Sequence, residues 1–168
     1  REAIKAYEEA VKILKKDYDA RYNLALAYQL NGDYNSAGLT YCEAIELAPM
    51  NYEAHYNLAV LLRHLKKYKE AYNEMEKANT LIASKDGTSN RQRYVFDVMN
   101  DVTKMVLLEE DGSQWLMEKF NAEMDARNEG MTYVNGKLVA SEDLDRAMLK
   151  NFQTCTARAV FLDDEDED

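Results

Sequence analysis

The first half of the chain carries a motif that returns after 34 residues. The segment that begins at Tyr18 reads Tyr-Asp-Ala-Arg-Tyr-Asn-Leu-Ala, and the segment that begins at Tyr52 reads Tyr-Glu-Ala-His-Tyr-Asn-Leu-Ala. The same shift relates Ala37 to Ala71 further along the chain. A fixed period of this length is typical of stacked helical repeats, because each unit needs a neighbour to bury its apolar face.

Hydrophobic spacing and turn residues predict two helices in each repeat. The first repeat predicts helices from about Tyr18 to Leu30 and from about Tyr34 to Leu47. Gly32 stands between them, where a left-handed residue is needed to end the first helix. The second repeat predicts the same pair of helices over 52–65 and 68–82.

The repeats resemble the tetratricopeptide repeat (TPR) family. That family's motif has a large residue, Leu, a small residue and Tyr in the first helix, then Ala, an aromatic residue, Ala and Pro. The first repeat departs from it only at the large residue and offers, in order, Arg21, Leu24, Ala25, Tyr28, Ala37, Tyr41, Ala44 and Pro49. The second repeat also lacks Tyr, the aromatic residue and Pro, and offers His55, Leu58, Ala59, Leu62, Ala71, Met75, Ala78 and Ala83. The resemblance implies an all-α fold, a right-handed superhelix of stacked helix-turn-helix repeats (an α-solenoid).

The repeat pattern also predicts a division of the chain. TPR-like repeats are expected over 1–83, as a half repeat at 1–17, a full repeat at 18–51 and a second at 52–85. Amphipathic spacing returns after a polar stretch and predicts a helix over 90–110. Repeat stacks usually end in an atypical helix, so this helix is expected to cap the last repeat.

The last third of the chain predicts a mainly helical extension over 113–162. Ser113 is the expected N-cap of its first helix. A β-hairpin is expected at 132–140, because Asn135-Gly136 between apolar residues is a strong hairpin signal. The chain closes with an acidic tail, 163–168.

Charge and hydropathy exclude some classes of partner. The net charge is −10, and six of those charges belong to Asp163–Asp168. Because no basic stripe is present, we expect no binding to nucleic acid. No apolar run approaches the roughly 20 residues that cross a bilayer, so no membrane insertion is expected.

The two cysteines, Cys42 and Cys155, provide neither a disulfide framework nor a Cys-x-x-Cys motif. Cys42 falls within a predicted helix, where we expect a small, buried apolar thiol. Cys155 is expected on the apolar face of one last helix, together with Phe152 and Ala159. A reducing compartment, the cytoplasm, fits this pattern. The chain begins within a repeat at Arg1, which predicts that it is part of a longer protein.

No motif for catalysis or for a metal is present. The sequence lacks a Gly-rich phosphate loop, a Gly-x-Ser-x-Gly motif and a His-Glu-x-x-His motif. His55 and His64 lie nine positions apart, half a turn out of phase on one helix. The series Asn31-x-Asp33-x-Asn35 imitates a calcium loop but lacks its later Gly and Glu. We therefore expect a protein that is not an enzyme and needs no cofactor or metal.

The family resemblance implies a concave groove that the first helices of successive repeats line and that holds a peptide or helix. The corresponding residues here are Tyr22, Asn23, Leu26, Leu30, Tyr56, Asn57, Val60, Arg63 and His64. A different interpretation has Tyr22 and Tyr56 contacting the adjacent helix of the stack instead of a ligand. Relatives that clamp a terminal carboxylate carry Lys and Asn where this chain has tyrosines and apolar residues. The groove is thus better suited to an amphipathic helix or an extended apolar segment.

Three hypotheses about function follow from the sequence. The first is a protein–protein interaction scaffold that binds a partner's peptide or helix in the groove. The second is a docking or regulatory region of a larger enzyme whose catalytic domain lies outside this stretch. The third is self-association, through the apolar segment Met105–Leu108 or through the first helix.

Overall fold

The computed structural model describes residues 2–83, 89–134, 137–140 and 143–163. Within these ranges the fold is an all-α solenoid with one small hairpin, which confirms the expected fold class. The elements in chain order are α1 (Glu2–Ile13), α2 (Tyr18–Leu30), α3 (Tyr34–Leu47), α4 (Tyr52–His64), α5 (Tyr68–Ala83), α6 (Ser89–Leu108), α7 (Gly112–Asn128), β1 (Met131–Val134), β2 (Lys137–Ala140), α8 (Leu144–Gln153) and α9 (Arg158–Asp163).

The repeat helices begin and end where local chemistry favours it. The carboxylate of Asp17 accepts a hydrogen bond from the backbone N–H of Ala20 at 3.0 Å and so caps α2. Gly32 ends that helix with φ of 84°, as predicted. The equivalent residue of the second repeat, Lys66, adopts the same left-handed conformation with φ of 63°. The backbone turn is therefore retained although the glycine is not.

Small residues allow the repeat helices to pack closely. Ala25 on α2 and Ala37 and Ala44 on α3 are completely buried. Tyr41 is also completely buried, and its hydroxyl donates a hydrogen bond to Gln29 Oε1 at 2.6 Å. The pair α2 and α3 is thus joined both by apolar contact and by a satisfied polar group.

Helix α1 contributes little to the core. Ile4 is buried, whereas Tyr7 on the same helix and Leu14, just after it, are exposed. The hydroxyl of Tyr28 on α2 donates a hydrogen bond to Glu8 Oε1 at 2.9 Å and fixes α1 in place. Burial, and then this bond to Glu8, raise the pKa of Tyr28 to about 12.

Helix α6 packs on α5. Val102 and Val106 of α6 are completely buried. Helix α7 begins at Gly112, so the expected cap Ser113 lies inside the helix, and Asp111 precedes it. A Cβ atom on Gly112 would stand 1.4 Å from the carbonyl oxygen of Val106, so only glycine fits between α6 and α7.

The expected hairpin is present, with β1 and β2 antiparallel and Met131 opposite Ala140. Its turn, 135–136, and the tail, 164–168, lie outside the described residues. The single last helix that the sequence predicted is instead two, α8 and α9, because the chain leaves helical conformation after Gln153. The apolar face consequently shifts, and Ala159 is exposed while Phe161 is buried.

The end of the chain returns to helix α3. Cys42 on α3 and Cys155 form a disulfide, with their Cα atoms 5.4 Å apart. The expectation of a free thiol at Cys42 is therefore wrong. A Cβ atom on Gly38 would lie 2.3 Å from the ring of Phe161, so this glycine provides the space into which Phe161 packs. Arg158 also forms a salt bridge with Glu46.

We expect Cys155→Ser to lower the free energy of unfolding by about 2–4 kcal/mol, since the lost bridge joins residues far apart in sequence. Its sequence separation is 113. Urea unfolding without reductant, followed by circular dichroism, measures the difference. With reductant, the wild type should unfold like the variant. An equal midpoint for the wild type with and without reductant would contradict the bridge.

Candidate peptide-binding groove

Helices α2 and α4 carry all nine residues expected to form the groove. The two helices hold equivalent places in successive repeats, so residues 34 positions apart, such as Tyr22 and Tyr56, repeat along the surface. Helix α4 also contacts α6. Arg63 Nη1 on α4 donates a hydrogen bond to Asp101 Oδ2 on α6 at 2.8 Å. Three helices therefore contribute to this surface.

The contact between α2 and α4 is a hydrogen bond from Asn57 Nδ2 to the hydroxyl oxygen of Tyr22, at 2.5 Å. The ring of Tyr22 stacks on Tyr18 at 5.7 Å and meets Tyr41 edge-on at 6.2 Å. Burial, and then the charge of Glu53, raise the pKa of Tyr22, so its phenol stays protonated at neutral pH. The hydroxyl accepts a bond from Asn57 and keeps its own hydrogen as a donor.

Four of the expected groove residues with apolar or aromatic side chains are half-buried: Tyr22, Leu26, Tyr56 and Val60. Tyr22 and Leu26 pack against the main core, and Tyr56 packs against a smaller cluster that includes Ala59 and Met75. Val60 is also half-buried. These side chains therefore contact the stack and also retain some exposed area.

Three of the expected groove residues are exposed. Asn23 and His64 are exposed, and Leu30 shows 89% of its surface to solvent. The ring of His64 lies 5.0 Å from the ring of Tyr34, measured between centroids. Leu30 is the most exposed of the large hydrophobic side chains in the described ranges, so a partner that covered it would gain apolar contact.

Sequence reasoning missed the contribution of α6. A shallow depression of about 430 Å³ lies between α4 and α6 and is lined by Arg63, Asp97, Val98, Asn100, Asp101 and Lys104. The ion pair between Arg63 and Asp101 crosses it. The sequence holds no signal for this pair, because the 34-residue period ends before α6.

A cluster of ionisable side chains lies between α4 and α5. His55 Nδ1 lies 2.9 Å from Glu74 Oε2, and His55 Nε2 lies 2.8 Å from the carbonyl oxygen of Pro49. Lys77 Nζ donates to the other oxygen of Glu74 at 3.0 Å. His55 and Glu74 are completely buried, and Lys77 is 6% exposed. Each ring nitrogen of His55 thus has an oxygen partner.

This charged cluster is covered by the end of the chain. Lys77 Nζ donates a second hydrogen bond, to the carbonyl oxygen of Thr154, at 3.3 Å. The ring of Phe152 meets the ring of His55 edge-on at 6.2 Å. One feature of the sequence could have indicated this cluster. His55 occupies a first-helix position at which the TPR motif has a large residue.

The described part of the chain holds neither a candidate metal centre nor a candidate membrane span. Across the described ranges, no group of three or more His, Cys, Asp or Glu side chains is placed to hold a metal ion. In the same part of the chain, no helix is long and apolar enough to cross a membrane.

The paired helices and the surface that α2 and α4 share define a TPR-type repeat protein. The family model described as anaphase-promoting complex, cyclosome, subunit 3 matches residues 1–96, more than half of the chain. The chain belongs to this family. No curated protein matches it. Because repeats of this type mediate contacts between proteins, the chain is a protein–protein interaction scaffold.

We expect Glu74→Gln to lower the free energy of unfolding by about 3–5 kcal/mol at neutral pH, because it leaves buried Lys77 and His55 without their carboxylate. Burial alone would raise the pKa of Glu74, but the bond to His55 and the charge of Lys77 hold it below its ordinary value of 4.5. A depressed pKa stabilises the fold above that ordinary value, and this contribution is lost as pH falls through the folded pKa.

The difference between the variant and the wild type should therefore be constant above about pH 4.5 and shrink below it. Urea unfolding at a series of pH values measures it. Glu9→Gln is the control, since the Glu9 side chain is 67% exposed in its pair with Lys12. An equally small effect for both variants would show that the buried cluster does not stabilise the fold.

Proposed function

We propose that this scaffold binds a peptide or an amphipathic helix of a partner protein in the groove formed by α2 and α4. The observation that carries the proposal is the hydrogen bond between Asn57 and Tyr22, which joins equivalent helices of successive repeats at 2.5 Å. The bond holds the two helices in register and presents one surface across both repeats. A preformed surface binds with less loss of conformational freedom than a flexible one.

The chemistry of the surface supports an apolar occupant with some hydrogen-bonding groups. Leu30 and the partly exposed Leu26 and Val60 offer aliphatic contact along the helices. The exposed amide of Asn23 and the hydroxyl of Tyr22 offer hydrogen bonds. An amphipathic helix matches this arrangement, because it presents apolar anchors at spacings of three and four residues.

A buried carboxylate is a poor match for the same surface. The tyrosine and aliphatic side chains would provide no positive charge to replace its hydration. The one arginine of the expected groove, Arg63, is already paired with Asp101 at 2.8 Å. The proposed partner segment therefore does not depend on a terminal carboxylate for binding.

A displayed library of amphipathic helices, selected on the full chain, tests the groove. We expect Tyr56→Ala with Asn57→Ala to weaken the selected binders at least tenfold, because an aromatic contact and the inter-repeat hydrogen bond are both removed. Leu30→Ser should also weaken them and leave stability nearly unchanged, since Leu30 is 89% exposed. Fluorescence anisotropy measures affinity, and circular dichroism checks that the helices are intact.

Ile13→Ser is the matched control, because Ile13 is also a highly exposed aliphatic residue, at 78%, but lies on α1 outside the groove. It should leave the affinity unchanged. Helices that bind all the variants as tightly as the wild type would show that they use another surface.

A further inference from the structure

A second recessed site lies outside the groove, in the C-terminal half of the chain. A cavity of about 770 Å³ lies among α5, α7, α8 and β1, and we call it the lateral cavity. None of the nine expected groove residues lines it. Its volume falls within the range of about 300–1,000 Å³ that is usual for ligand sites.

Two side-chain amides of its wall have an unsatisfied oxygen. Asn79 on α5 and Asn151 on α8 both line the lateral cavity. The Oδ1 atom of each is buried and accepts no hydrogen bond from the part of the chain that the structure describes. Buried polar atoms almost always have partners, and such an atom calls for an explanation when it does not. Both oxygens have almost no exposed surface in the free protein, so a ligand N–H group would supply the missing bonds once the amides turn toward the cavity.

The edge of a β-strand borders the same cavity. Thr132, Tyr133 and Val134 of β1 all line it, although successive side chains of a strand point to opposite faces. A cavity that touches three successive residues therefore runs along the strand and not over one face alone. Strand β1 pairs only with β2 in the described ranges, so no other strand lies against its second edge there.

The charges of the cavity wall are largely neutralised by the protein itself. Lys119 Nζ lies 3.2 Å from Glu76 Oε2 and 3.0 Å from Glu123 Oε1. Lys77 is paired with Glu74 at 3.0 Å. A phosphate would have to break these pairs to reach either lysine, and Arg127 is the one lining cation outside the ion pairs of the described residues. An uncharged ligand leaves them intact.

Aromatic rings complete the wall. Trp115 on α7 and Phe152 on α8 line the cavity together with Tyr133. The ring of Trp115 is held edge-on against Tyr72 at 5.7 Å. Held rings of this kind bury a large apolar area at low entropic cost, so they suit one apolar side chain of a ligand.

We propose that the lateral cavity binds an extended, uncharged peptide segment of a partner protein, which pairs with the free edge of β1 and donates backbone N–H groups to Asn79 and Asn151. One apolar side chain of the segment packs on Trp115. Adding a strand to an exposed sheet edge is a common mode of peptide recognition. An asparagine amide suits a peptide backbone, because each has one acceptor oxygen and N–H donors.

The test uses a displayed library of random eight-residue peptides selected on the full chain. Trp115 is the only tryptophan, so its fluorescence reports on the lateral cavity. We expect selected uncharged peptides to change that fluorescence saturably. We expect Asn79→Leu with Asn151→Leu to weaken their binding at least tenfold and to leave the melting temperature of the free protein unchanged or raised. Leucine has nearly the shape of asparagine and no unsatisfied oxygen.

Asn23→Leu is the matched control, since it makes the same chemical change on the exposed face of α2. It should leave the fluorescence titration unchanged. Equal affinity for the wild type and the double variant would overturn the proposal. So would a double variant that melts at a lower temperature, because the amides would then be structural. A fluorescence change with phosphorylated peptides alone would also overturn it. If the groove variants bind the selected helices as tightly as the wild type, that result would contradict the proposed groove and would leave the proposal for the lateral cavity unaffected.

Discussion

The ring of Phe161 occupies space beside Gly38 that any side chain would fill, since a Cβ atom there would lie 2.3 Å from the ring. This contact brings α9 onto α3, and the disulfide from Cys155 to Cys42 holds the same pair of segments together. Helix α3 is therefore covered by α2 and α4 within the repeats and by α9 from the end of the chain. The position of α8, which forms one wall of the lateral cavity, depends on this return of the chain to α3.

The repeated half of the fold could be predicted from the sequence because its signals are local. The helices α2 to α5 begin at the expected residues, and Gly32 adopts the expected left-handed conformation. The hairpin was also predictable, since Asn-Gly marks a turn over a few residues. The return of the chain to α3 was not. Its contacts join residues as far apart as Cys42 and Cys155, and no short pattern records which apolar face meets which.

The candidate groove was also predictable only in part. The motif identified the residues on the first helices, but their hydrogen bonds depend on side-chain geometry that a period does not specify. Asn57 was expected to face a ligand, and the hydrogen bond from its amide to Tyr22 was not foreseen. Asp101 on α6 was not anticipated, because α6 lies beyond the repeated sequence. Their use in binding stays a prediction.

Two groups of buried polar atoms differ in whether the protein itself supplies their hydrogen-bond partners. We relate the first group to stability and the second to binding. The cluster of His55, Glu74 and Lys77 is satisfied within the protein, down to the carbonyl oxygen of Thr154. The amide oxygens of Asn79 and Asn151 are not satisfied by the described residues. Local violations of this kind are expected where a protein binds something, since the rest of the fold compensates for them.

The disulfide also changes how a repeat array of this type can come apart. In an open array each unit touches only its neighbours, so the ends can unravel one helix at a time. The bond between Cys42 and Cys155 closes the intervening chain, α4 to α8, into a covalent ring. Helices inside the ring can no longer peel away from a free end in sequence. Helices α1, α2 and the short α9 lie outside the ring and keep that freedom, so thermal fraying and the earliest amide exchange should be concentrated at the two ends of the chain, outside residues 42–155.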